Sequence, residues 1–92
     1  MRWSVGVEVD GGRVLTREEV VELADAVAAS DGIATGIGTS RYGAQLVVVA
    51  GTREEAVEQA TAELRRAAEQ AGLPPGPVLR AEAISEEEDA AG

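Results

Sequence analysis

The chain has 92 residues, a hydrophobic fraction of 45% drawn mostly from Val and Ala, one Trp, one Tyr, no Phe and a formal charge of −9. A chain of this length hides roughly two thirds of its unfolded surface on folding, so one domain with a thin aliphatic core is expected. The acidity opposes binding to nucleic-acid phosphates and anionic membrane surfaces, and the lack of Cys and His removes disulfides, thiol nucleophiles, the commonest general base and nearly all zinc or copper sites.

Trp3, Val5, Val7 and Val9 alternate with Ser4, Gly6 and Glu8, and this period of two marks a half-buried strand. Asp10-Gly11-Gly12 ends it in a turn. Thr16-Arg17-Glu18-Glu19 has the spacing of a capping box, in which the Thr hydroxyl accepts from the Glu19 N–H and the Glu19 carboxylate accepts from the Thr16 N–H. A helix therefore starts at Arg17, with Val20, Leu23, Ala24, Val27 and Ala28 turned inward and Glu18, Glu22 and Asp25 wet, and it stops at Ser30-Asp31-Gly32.

Ile33 to Thr39 sets Ile33, Thr35, Ile37 and Thr39 against the small residues Ala34, Gly36 and Gly38, a weak or bulged strand suited to a sheet edge. Ser40-Arg41-Tyr42-Gly43 reads as a turn, and Ala44 to Ala50, holding Leu46-Val47-Val48-Val49, is the most apolar strand and takes a central place. Thr52-Arg53-Glu54-Glu55 repeats the capping box. The helix it opens runs to about Ala71, with Val57, Ala60, Leu64, Ala67, Ala68 and Ala71 inward, and closes at Gly72 with Pro74 just beyond. Val78 to Ile84 is a mixed strand. Glu86-Glu87-Glu88-Asp89 then carries like charges in a row, so a single domain over residues 1–84 is expected to end in a disordered acidic tail, 85–92. No apolar run nears the roughly 18 residues of a membrane span, and no signal-peptide core opens the chain, so a cytoplasmic protein is expected.

The two Thr-Arg-Glu-Glu starts divide the chain into two strand–helix halves, the split-βαβ plan. The expected class is α+β: a ferredoxin-like βαββαβ sandwich with a four-stranded antiparallel sheet. Right-handed crossovers leave both helices on one face and the other face bare.

Few residues suggest chemistry. The acids fall at helix N-termini, on wet faces and in the tail, the pattern of a solvated surface and not of paired catalytic carboxylates. Asp10-Gly11-Gly12-Arg13 before a helix could hold an anion, but its spacing fits neither a P-loop nor GxGxxG, and a plain turn explains it. The stretch 36–43 gathers Thr39, Ser40, Arg41 and Tyr42 at a glycine-flanked hairpin tip, a candidate ligand or partner loop; the alternative is that Tyr42 covers the end of the core. Trp3 is expected to anchor the core. The bare sheet face shows either Val47 and Val49 or Leu46 and Val48, beside Arg2, Glu8, Arg80 and Glu82. An apolar centre with a charged rim suggests a dimer face of Val47, Val49, Arg80 and Glu82.

A first strand, the turn Asp10-Gly11-Gly12 with Val14-Leu15, a helix, Gly32-Ile33 into a second strand, a Val-rich third strand, then helix and strand: this order resembles the ACT-type regulatory domains across most of residues 3–84. The resemblance implies a small regulatory or assembly module that pairs with itself through its sheet. Metal-carrier relatives of the same superfold need a Cys-x-x-Cys, and acylphosphatase-like ones an Asn near a phosphate loop; the chain has neither. The expected function is a non-enzymatic, self-associating interaction or regulatory module, a homodimer or a partner of another protein, with no cofactor, metal, nucleic acid or membrane. The alternative is a small-ligand-binding domain, or a minor enzyme, using the 36–43 loop.

Overall fold

In the computed structural model, which describes residues 1–29, 32–36 and 40–85, the elements follow as β1 (Arg2–Asp10), α1 (Arg17–Ala28), β2 (Ile33–Thr35), β3 (Arg41–Val49), α2 (Arg53–Ala71) and β4 (Val78–Ser85). The strands form one antiparallel sheet in the order β2-β3-β1-β4. This is the ferredoxin-like α+β arrangement expected from the sequence. Each βαβ half places its second strand two positions from its first, so the two halves interlock. No helix among the described residues is long and apolar enough to cross a membrane.

Both helices start as their capping residues dictate, and the two starts differ in one arm. At α1 the Thr16 hydroxyl accepts from Glu19 N–H (3.2 Å) and the Glu19 carboxylate accepts from Thr16 N–H (2.9 Å), a complete capping box. At α2 the Thr52 hydroxyl accepts from Glu55 N–H (3.2 Å), but the Glu55 carboxylate accepts from Gly51 N–H (3.1 Å) instead of Thr52. Gly72 closes α2 at φ 76°, a left-handed conformation that glycine adopts without a Cβ penalty, and Leu73 N–H then donates back to Ala68 O at 2.9 Å.

The core lies between the helices and the odd-numbered face of β1. Trp3, Val5, Val7 and Val9 pair with Val48, Leu46, Ala44 and Tyr42 of β3, and all of these except the half-buried Val48 are buried. Val20, Leu23, Ala26 and Val27 of α1 and Ala56, Ala60, Leu64, Ala67 and Ala68 of α2 close over them. Four of the five buried residues of α2 are alanines, side chains small enough to pack on a sheet in a chain with no Phe to fill a wider gap. Leu23, Leu46 and Leu64 are fully buried, each contributing about 1.5–3 kcal/mol by leaving water. Trp3 anchors the start of β1: its indole N–H donates to Ala50 O at 3.1 Å, and the Arg53 guanidinium lies 5.7 Å from the ring centre.

Besides the incomplete box at α2, several details depart from the sequence reading, among them the end of β2 at Thr35, with Gly36 outside the strand expected to run through it. Arg41, Tyr42 and Gly43 do not form a turn; they open β3, because Tyr42 continues the inward row of Ala44, Leu46 and Val48 opposite Val9. Gly43 is there for close approach: a Cβ at this position would lie 2.0 Å from Val7 O. On α1, Ala26 is buried and Ala28 exposed, the reverse of the expected inward row. Ser85 is the buried last residue of β4, opposite Trp3, so the folded unit reaches one residue further than expected. Residues 86–92, where the acidic tail is expected, lie outside the described residues, as do 30–31 and 37–39.

Candidate functional site: the uncovered face of the sheet

Because side chains alternate along a strand, the register that buries Trp3, Val5, Val7 and Val9 sends Arg2, Ser4, Gly6 and Glu8 to the opposite face. Their cross-strand partners go with them: Val49 opposite Arg2, Val47 opposite Ser4, Gln45 opposite Gly6 on one side, and Ile84, Glu82 and Arg80 opposite Ser4, Gly6 and Glu8 on the other. Ile33 and Thr35 of β2 share this face through Gln45 and Gly43. No described element covers it. Of the two registers open at the sequence level, the fold therefore turns Val47 and Val49 outward and Leu46 and Val48 toward the helices, and all four residues of the expected dimer face lie on the uncovered side.

Apolar and charged groups are segregated across this face. Val47 and Val49 sit at the end of β3, beside Ile84 of β4 across Ser4; Val49 is 67% exposed and Ile84 40%. Ile33, 70% exposed, lies at the β2 edge. Between them a depression of about 390 Å³ opens over Gly6, whose missing side chain lowers the floor, with Ser4, Glu8, Thr35, Gln45, Arg80 and Glu82 around it. Its polar groups are tied to one another. Gln45 Nε2 donates to Ser4 Oγ at 2.6 Å, and Arg80 Nη2 donates to Glu82 Oε2 at 2.7 Å. The Glu82 hydrogen bond, then the Glu82 and Glu8 charges, hold the Arg80 guanidinium above its ordinary pKa.

The candidate loop is divided by the same alternation. Thr39 lies outside the described residues, and Ser40 precedes β3. Arg41 is exposed on the open side, paired with Asp10, whereas Tyr42 is buried on the helix side, its hydroxyl donating to Pro74 O at 2.9 Å. Burial raises the Tyr42 pKa and the nearby Arg65 charge opposes it. The two side chains point to opposite faces of the sheet, and neither residue lines the depression.

At the β1–α1 turn the hydrogen-bond donors are already used. Gly11 N–H donates to Ser40 O (2.8 Å), Gly12 N–H to Asp10 Oδ1 (2.9 Å), and both terminal nitrogens of Arg13 bind the Glu19 carboxylate (2.8 and 2.6 Å). The Arg13 pair, followed by the Thr16 N–H, lowers the Glu19 pKa to about 2. The turn spends on its own chain the groups an anion would need. Among the described residues, no group of three or more acidic side chains is arranged to hold a metal ion.

Sequence reasoning missed the depression and the parts played by Gly6, Gln45 and Ile84. The signal was present in β1, whose even positions are all polar or small; what was lacking was the register carrying that assignment to β3 and β4. Comparison of the chain with protein-family models, curated proteins and solved structures finds no match.

Proposed function

We propose that the protein is a non-enzymatic, self-associating interaction or regulatory module of the cytoplasm, whose copies meet through the uncovered face of the sheet. The observation that carries this reading is the placement of Val47, Val49 and Ile84 on a face that no described element covers, in a chain whose opposite face is packed with side chains of the same kind. Hiding such a side chain contributes about 1.5–3 kcal/mol, a large share for a domain whose whole stability is about 5–15 kcal/mol. Arg2, Glu8, Arg80 and Glu82 around that centre contribute little energy and penalise wrong orientations. The resemblance to ACT-type regulatory domains points the same way.

Light scattering at micromolar concentration tests the reading: a mass of at least twice 9.5 kDa is expected. A mass near 9.5 kDa would overturn it. That result would favour a second reading, a small-ligand-binding domain, which draws its support from the Gly6 depression and its polar rim.

A further inference from the structure

The two edges of the sheet are unlike. β2 is three residues long, a short edge of the kind that blunts unwanted pairing, whereas β4 runs eight residues, and among the described residues only β1 pairs with it. Val78 to Glu82 are all exposed, including Leu79 and Ala81. β4 contains no proline, and its charges are one Arg and one Glu placed symmetrically about Ala81.

We infer that the outer edge of β4 pairs antiparallel with β4 of a second copy about a two-fold axis at Ala81, joining two four-stranded sheets into one of eight strands. An axis perpendicular to the sheet keeps both helix layers on the same side, so each residue meets one from its own face. Centred on Ala81, Arg80 lies opposite Glu82 of the second copy and Glu82 opposite Arg80. Opposite charges face each other directly, a pairing that stabilises a sheet. Moving the axis by one residue sets Glu82 against Glu82 or Arg80 against Arg80, so the charge pattern selects one register. Charges of a single sign on an edge repel a copy; this alternation attracts one. The irregularity in the β1–β4 ladder falls at Leu79, between the Glu8–Arg80 and Val9–Val78 pairs, and so lies outside the central Arg80–Glu82 span. The exposed Arg80–Glu82 pair within one chain exchanges partners without leaving a charge unpaired.

This edge contact is separate from the face contact proposed above, and a cysteine distinguishes them. The chain has no cysteine, and Ala81, exposed on the helix side opposite Val7, accepts one without disturbing the core. Residues opposite each other in an antiparallel pair have Cα atoms about 4.5–5.5 Å apart, within disulfide range. Copies stacked through their open faces keep both Ala81 side chains on outer surfaces, beyond reach of each other. Under mild oxidation Ala81→Cys is expected to form a disulfide-linked dimer on a non-reducing gel. Adding Arg80→Glu should slow the reaction at least tenfold, and adding Arg80→Glu with Glu82→Arg, which restores opposite charges in the same register, should bring the rate back. Circular dichroism checks that each variant is folded. Absence of the cross-link in folded Ala81→Cys would overturn the edge contact, and equal rates in all three variants would overturn the register.

Discussion

Leu46 and Val47 are neighbours in sequence and similar in chemistry, yet one is fully buried under the helices and the other lies on a face that no described element covers. The difference is not in their side chains. β3 carries aliphatic residues on both faces, so its own sequence is compatible with either orientation; the choice comes from β1, where valines strictly alternate with polar or small residues and leave one face fit for burial. A strand with an unambiguous pattern fixes its ambiguous neighbour through the hydrogen-bonded register.

The largest test of this contrast removes the same kind of atoms from each face. Leu46→Ala should cost about 2–5 kcal/mol in urea unfolding, whereas Val49→Ala, in chains diluted to monomer, should change stability by no more than about 0.5 kcal/mol. Equal losses would mean that both faces are covered within one chain.

The two glycines of the open face sharpen it further. A Cβ at Gly43 would lie 2.0 Å from the Val7 carbonyl oxygen, so Gly43→Ala must push β1 and β3 apart, at about 1–3 kcal/mol or more. A Cβ at Gly6 meets only the Gln45 side-chain oxygen at 2.9 Å, the movable end of a flexible side chain. Gly6→Ala should therefore fold with stability within about 1 kcal/mol of the parent while raising the floor of the depression.

A smaller effect, lying on neither face, sets the background for both. The Glu19 pKa falls from an ordinary 4.5 to about 2 because the folded state favours its charged form. A depressed carboxyl pKa stabilises the fold above the unfolded value, and the contribution is lost as the pH falls through the folded one. The gap in urea midpoint between the parent and Glu19→Gln should therefore be constant above about pH 5 and close between pH 4.5 and about 2. A gap that widens on acidification would contradict the pairing with Arg13 and Thr16.

Much of the fold was legible in the residues because its signals are local. The Thr16 capping box, the valine alternation of β1 and Gly72 each act within a few positions, and each falls where it was read. The errors arose where a local signal lost to a distant one. Gly43 suggested a turn, but the row Tyr42, Ala44, Leu46, Val48 continues a strand opposite β1, and there glycine serves the close approach of Val7. Leu15 and Leu73 enter the core from loops, outside any periodic pattern that would mark them. Of the candidate site, the residues of the uncovered face could be named but not their orientation, since that rests on pairing between strands far apart in the chain. The depression over Gly6 needs three strands in register before it exists at all.

The claim that this uncovered face joins copies of the chain is tested most directly by one pair of substitutions on adjacent residues, Val47→Glu and Leu46→Glu, followed by light scattering with circular dichroism on the same samples. Val47→Glu should keep the parent spectrum and lower the particle mass, while Leu46→Glu should lose the folded spectrum. A folded Val47→Glu with the mass of the parent would contradict the account.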